Sequence, residues 1–125
     1  LRSLQLKNVV PVGYTTKVSE YMDSADLILT KAGGLSSSEA AAKALPIVYV
    51  DAVPGCETRN IEFFCQNHYA VAGHSAEEIS ALVTSLLADK AWRNATSSLL
   101  LSDFNAHSAA LISRFLQSSA EPAKP

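Results

Sequence analysis

The stretch DLILTKAGGLSSSEAAAKALPIVYVD, residues 26–51, decides the fold because it places a glycine pair and an alanine-rich segment between two apolar runs. The runs at 27–30 and 47–51 are apolar with little alternation, which is typical of strands covered on both faces. The segment 35–45 predicts a helix. A strand, a helix and a strand at this spacing predict a right-handed βαβ crossover with parallel strands.

The same pattern continues on both sides of this unit. Apolar runs at 8–13 and 69–72 predict two more strands, and we expect helices at 16–24, 57–67, 75–88, 90–100 and 104–117. This alternation predicts an α/β protein, with a parallel sheet packed between two layers of helices. Residues 1–117 are expected to form one domain. Residues 118–125 are small, polar and proline-containing, so we expect a disordered tail.

Composition excludes several classes of protein. The chain has 125 residues, the size of one domain, and a formal net charge of −2, so no general attraction to nucleic acid is expected. Cys56 and Cys65 are too few and too poorly spaced for a zinc site or a disulfide framework, and we expect reduced thiols and no metal. No apolar stretch reaches the roughly 18 residues that a spanning helix needs.

The loops after the second and third predicted strands should meet in one crevice, because parallel strands place their carboxyl ends along one edge of the sheet. The first loop carries Gly33 and Gly34, and the second covers residues 52–57. Each loop opens a helix, whose unpaired N–H groups and dipole favour an anion, and glycine lets a phosphate approach the main chain closely. The glycine pair is therefore better interpreted as part of a phosphate-binding loop than as part of a flexible linker.

Glu39 allows two interpretations. Ser36 and Glu39 have the spacing of a capping box, in which each side chain bonds the backbone of the other, and residues 75–78 repeat that pattern. Alternatively, the carboxylate accepts hydrogen bonds from two neighbouring hydroxyls, as the ribose of a nucleotide would offer. Spacing alone favours the capping box, whereas the position one turn inside the helix favours the ribose.

Three segments carry a resemblance to a known family. They are TKAGG at 30–34 with Ser36 and Glu39, LPI at 45–47, and PG-x-E-x-x-N at 54–60. Together they resemble the donor-binding half of GT-B glycosyltransferases of the diacylglycerol glycosyltransferase type. That group includes monogalactosyldiacylglycerol synthases and processive diacylglycerol glucosyltransferases, with the peptidoglycan N-acetylglucosaminyltransferase as a more distant relative. The likeness covers about residues 8–88.

The resemblance implies roles for a first group of donor-binding residues. Those of the first loop would hold the pyrophosphate of a UDP-sugar, with Ser36 as a hydroxyl donor, and Glu39 would bind the ribose. The segment before the first helix would face the uracil. These residues are Gly13, Tyr14, Gly33, Gly34, Leu35, Ser36 and Glu39. Lys31 would neutralise a phosphate, although a lysine at the end of a strand is as often solvated.

The second loop supplies the remaining residues that the resemblance implies. Pro54 and Gly55 belong to its motif, and Glu57 and Asn60 would reach the donor sugar or the adjacent phosphates. Without the resemblance, Glu57 could simply complement a helix dipole and Asn60 could be a surface residue. The family usually has glutamine where this chain has Cys56, so a sugar contact is expected to be lost or replaced.

The implied function is that of the donor half of an inverting enzyme, which passes a hexose from UDP-hexose to a diacylglycerol-type lipid by direct displacement. No cofactor other than the UDP-sugar substrate is expected, and the location would be cytoplasmic, peripheral on the inner face of the membrane. Two alternatives stay open: a stand-alone donor-binding subunit with a membrane-bound partner, and a non-catalytic α/β binding module.

The start of the sequence adds an expectation about completeness. Residues 1–7 resemble the end of a helix, which suggests an N-terminally truncated C-terminal domain. The N-terminal domain would hold the acceptor site and the catalytic base, so no catalytic residue is expected in this chain and it should be inactive alone. The surface bared by truncation would favour a homodimer.

Overall fold

The computed structural model of the chain describes residues 7–50, 55–104 and 107–119. Its elements, in chain order, are α1 (Val18–Asp23), β1 (Ile28–Thr30), α2 (Gly34–Ala42), β2 (Ile47–Tyr49), α3 (Cys56–Gln66), β3 (Ala70–Ala72), α4 (Ala76–Ala88), α5 (Lys90–Asp103) and α6 (Ser108–Ser119).

The three strands form one parallel sheet in the order β1-β2-β3. Ile47 of β2 lies opposite Ile28 of β1 on one side and Ala70 of β3 on the other. All three residues of β2 are buried, as expected for a strand paired on both sides and covered on both faces. The predicted α/β class with a parallel sheet is confirmed.

The strand predicted at residues 8–13 is not formed. These residues are irregular and exposed, with Val10 83% accessible. A strand exists only with a neighbour that receives its hydrogen bonds, and apolar character alone does not supply one. Pro11 also lacks the N–H that a ladder needs. The described sheet therefore has three strands, with β1 at one edge.

Two of the helices end in backbone turns that have no glycine in the sequence to predict them. After α2, Leu45 N–H donates to the Ala40 carbonyl and Ala44 N–H to that of Ala41, both at 2.9 Å. After α3, Tyr69 N–H bonds the Phe64 carbonyl in the same way. This is the Schellman arrangement, in which the residue past the helix takes positive φ. Here that residue is not glycine but Ala44 (φ 55°) or His68 (φ 61°).

The core lies between the sheet and helices α2, α3 and α5. It contains β2 and the small residues of α2, together with Phe64 of α3 and Leu100 of α5. An aromatic cluster closes one end, with edge-on contacts of Phe64 to Tyr49 and Tyr69 at ring-centre distances of 6.0 Å. Most of the buried apolar residues therefore lie between the sheet and the helices packed on it, which include the two that follow β1 and β2.

Helix α6 stands apart from this core. Its apolar residues are all exposed: Leu111, Ile112, Phe115 and Leu116. It continues to Ser119, so the first two residues of the predicted tail are helical, and the rest of that tail lies outside the described residues. Within the described ranges, no helix has both the length and the apolar character that crossing a bilayer requires.

Candidate functional site

The loop after β1 leads directly into α2. Gly33 is the residue before the helix (φ −69°, ψ 138°), and no side chain within the described part of the chain caps the helix start. Of the two interpretations of Glu39, the capping box does not hold, because the helix begins at Gly34 and Ser36 already lies inside it. The N–H groups of Gly34, Leu35 and Ser36, which precede the first bond of the helix, have no partner within it.

Hydrogen bonds that involve three side chains fix the backbone of this loop. The Asn60 amide of α3 donates to the Ala32 carbonyl (2.7 Å), and the Ser37 hydroxyl donates to the Gly33 carbonyl (2.8 Å). The Tyr49 hydroxyl in turn donates to Ser37 Oγ (2.9 Å). Ser37 and Tyr49 are fully buried. The Ala32 and Gly33 carbonyls are therefore both bound by side chains of the protein.

The glycines of the loop are not required by the protein's own packing. A Cβ atom added to Gly33 or Gly34 would meet no atom of the described residues within 4 Å, and neither residue has positive φ. Gly73, in contrast, is tightly packed, since a Cβ there would lie 2.6 Å from Ile79 Cγ1. Among the described residues, the space above Gly33 and Gly34 is therefore open.

Glu39 lines a groove between α1 and α2. The groove has a volume of about 390 Å³ and a largely apolar floor, and its other lining residues are Thr16, Val18, Ser19, Met22, Ala42 and Lys43. Lys43 forms an ion pair with Asp23. Glu39 lies five residues beyond Gly34, about 7.5 Å along the helix axis, and its side chain leans back toward the helix start. The Glu39 carboxylate is therefore close enough to the loop for one small ligand to contact both.

The other residues predicted for the first loop are solvent-facing. Tyr14 is 99% exposed and Leu35 83% exposed, Lys31 is exposed at the end of β1, and Ser36 is half-buried. A Cβ on Gly13 would also meet nothing within 4 Å. Among the described residues, the structure thus places Gly13 and Tyr14 at the surface.

Of the second loop, residues 52–54 lie outside the described residues, and the part that follows them, Gly55 and the start of α3, is joined to the first loop through Asn60. Gly55 has φ 111°, a conformation that side chains disfavour, and α3 begins directly after it. Glu57 is in the first turn of α3, and Asn60 reaches across to the first loop. Pro54 lies outside the described residues. The half-buried Cys65 thiol has a pKa raised by burial, which keeps it protonated and unreactive.

A family model decides the relationship of the chain. The model of the glycosyltransferase family 28 C-terminal domain matches residues 2–94. The chain belongs to this family. The resemblance seen in the loop motifs is thereby confirmed, and the Rossmann-like parallel sheet is consistent with it.

Several curated proteins are similar to this family 28 domain. A processive diacylglycerol beta-glucosyltransferase of Staphylococcus carnosus is 36% identical over 83 residues, 66% of this chain and 21% of that protein. The proteins of the same name from Staphylococcus haemolyticus and Staphylococcus aureus JH9 are 34% and 32% identical over 79 and 80 residues. These matches cover 63% and 64% of this chain and 20% of each protein. The chain thus spans about a fifth of the length of these relatives.

Sequence reasoning missed two parts of this candidate site. It gave no role to the wall of the groove on α1, because Thr16 and Ser19 carry no motif. It also missed the buried pair of Ser37 and Tyr49. A faint signal existed for the pair, since Tyr49 ends an otherwise aliphatic strand and Ser37 lies among alanines on the buried side of α2.

Proposed function

We propose that the chain is the donor-nucleotide-binding part of an inverting glycosyltransferase, one that transfers a hexose from UDP-hexose to a diacylglycerol-type lipid at the inner face of the membrane. The observation that carries the proposal is the open helix start at Gly33 and Gly34, with Glu39 in a groove along the same helix. Family membership and the lipid glucosyltransferase names of the relatives support it.

The geometry suits a nucleoside diphosphate in one orientation. The phosphates would lie at the start of α2, where unpaired N–H groups and the helix dipole attract negative charge. The ribose would lie further along the helix, where the Glu39 carboxylate can accept bonds from both hydroxyls. Val18 and Met22 line the same groove and would offer an apolar surface to the flat base. The Gly55–Asn60 side of the crevice is left for the sugar.

The same arrangement suggests how the chain would assist the reaction. In a direct displacement at the anomeric carbon, negative charge grows on the departing diphosphate. N–H groups that are already oriented toward that charge stabilise it without rearrangement. The role proposed for this chain is therefore to bind the donor and stabilise the leaving group, while the acceptor and the base are supplied from outside it.

The test is binding of UDP to the full-length protein, measured by calorimetry, in the wild type and in Glu39→Gln. The substitution keeps the size of the side chain but removes its charge, so we expect UDP affinity to fall by about 1.5–3 kcal/mol, the range for hydrogen bonds to charged groups. The 2′-deoxy nucleotide should lose less, because it makes one of the two bonds. Glu62→Gln, at an exposed position within α3, is the matched control and should not change UDP affinity.

The outcomes separate the proposal from its alternatives. Equal UDP affinity in wild type and Glu39→Gln would remove Glu39 from the site. Absence of UDP binding in the wild type would favour a non-catalytic α/β binding module. A stand-alone donor-binding subunit would bind UDP in the same way, but it would transfer no sugar until its membrane-bound partner is added.

A further inference from the structure

The buried hydroxyl pair of Ser37 and Tyr49 connects the central strand to the glycine loop. Tyr49 is the last residue of β2, and its hydroxyl donates to Ser37 Oγ (2.9 Å). Ser37 Oγ donates its own hydrogen to the Gly33 carbonyl (2.8 Å), which also accepts the Ser37 N–H (3.0 Å). The pair is a relay of two hydrogen bonds that ends on a single carbonyl oxygen.

The direction of that carbonyl determines the direction of the next N–H group. A trans peptide is planar, and its C=O and N–H point in opposite directions. The described residues contain no cis peptide bond. Binding the Gly33 carbonyl from the interior therefore directs the Gly34 N–H outward, and binding the Ala32 carbonyl through Asn60 directs the Gly33 N–H likewise.

We propose that Tyr49 and Ser37 are positioning residues for the diphosphate: they hold the Gly33 peptide so that the Gly34 N–H points at the bound phosphate. This inference rests on the proposed function, since it assigns the anion to the start of α2. The two side chains do not touch the ligand and act only through the backbone of the loop.

Packing alone does not account for the pair. A buried hydroxyl is costly unless it is bonded, and an internal hydrogen bond offsets that cost with little net gain. Two apolar side chains could fill the same space with no such requirement. What the hydroxyls add is direction, because a hydrogen bond fixes the orientation of the peptide that accepts it.

The test compares Tyr49→Phe with the wild type in the full-length protein, using UDP and uridine as ligands. Phenylalanine keeps the ring and its edge-on contact with Phe64. We expect UDP affinity to fall about 3- to 10-fold, the range for one neutral hydrogen bond, while uridine affinity is unchanged because uridine has no phosphate. Hydrogen exchange of the Ser37 amide should become faster, since its acceptor carbonyl is less firmly held.

Two further variants make the result specific. In the Ser37→Ala background, adding Tyr49→Phe should cost no further UDP affinity, because Tyr49 acts through Ser37. Tyr69→Phe is the matched control: it also removes a hydroxyl from a buried tyrosine, one bonded to Asp103 (2.6 Å) away from the loop. It should lower stability without changing the UDP-to-uridine affinity ratio or the exchange of the Ser37 amide.

Equal losses of UDP and uridine in Tyr49→Phe, or a full additional loss in the Ser37→Ala background, would overturn the positioning role. An unchanged rate of hydrogen exchange at the Ser37 amide in Tyr49→Phe would also overturn it. If the wild type binds no UDP, the proposed function fails, and the assignment of the pair to a phosphate fails with it. A faster Ser37 amide in Tyr49→Phe would then show that the pair orders the loop but not for this ligand.

Discussion

Gly33 and Gly34 are glycines that the fold itself does not need. Their backbone angles suit other residues, and their missing side chains leave open space. Glycine within a helix, the position of Gly34, is also entropically unfavourable. A residue type that costs stability and relieves no contact among the described residues supports the proposed close approach of a phosphate to this loop.

Gly34→Ala should therefore change stability and binding in opposite directions. Reduced freedom of the unfolded chain should stabilise the fold by about 0.4–1 kcal/mol. The added Cβ would occupy the space above the loop, so UDP affinity should fall about tenfold or more, equivalent to about 1.4 kcal/mol. Urea unfolding and calorimetry measure the two effects, and Gly34→Val should show the greater loss of binding.

Gly73→Ala is the control for this substitution, because its Cβ would collide with Ile79 and the variant should be destabilised. If Gly34→Ala binds UDP as tightly as the wild type, no phosphate lies against this part of the loop.

At the scale of the elements, two serines with the same sequence pattern behave differently. Ser75 caps α4: its hydroxyl accepts the Glu78 N–H (3.1 Å), while Glu78 accepts the N–H of His74 (2.7 Å). Ser36 lies inside α2 and caps nothing. The pattern Ser-x-x-Glu thus marks a helix start only where the chain before it is not already helical.

Ser75→Ala should lower the free energy of unfolding by about 1 kcal/mol, the typical effect of losing a helix cap. Ser36→Ala should have a much smaller effect on stability, because it removes no capping bond. Urea unfolding of the two variants tests this difference, and an equal loss in both would restore the capping box at Ser36.

The elements show which features the sequence could predict. The strands β1, β2 and β3 and the helices between them were correctly predicted, because short unbroken apolar runs and the longer segments between them leave local signals in the sequence. The strand expected at 8–13 was wrong, because pairing depends on a neighbour elsewhere in the chain. The groove beside Glu39 was not predicted, since it arises from the packing of α1 against α2.

At the scale of the whole molecule, a hydrogen bond joins the residue before β3 to the end of α5. The Tyr69 hydroxyl, just before β3, donates to Asp103 at the end of α5 (2.6 Å). The hydrogen bond from Tyr69, and after it that from Ser102, lowers the pKa of Asp103. A carboxyl group whose pKa is lower in the folded state stabilises the fold above its unfolded pKa, about 3.9, and loses that contribution as the pH falls.

The stability difference between wild type and Tyr69→Phe should accordingly depend on pH. It should be constant between about pH 5 and 8 and shrink below about pH 4, as Asp103 becomes protonated in the wild type. Urea midpoints at several pH values measure it, and Asp103→Asn should abolish the dependence. A difference that persists undiminished at about pH 2 would show that the charge of Asp103 is not involved.

The hydrogen bond between Asn60 and Ala32 has a consequence for the order of folding. It connects positions 28 residues apart, so this bond exists only once α3 has docked beside the first βα unit. Closing so long a loop costs chain entropy, which favours local structure before a long-range contact of this kind. We therefore expect the glycine loop to gain this bond late in folding, and a nascent chain that ends before α3 would carry the loop's sequence without it.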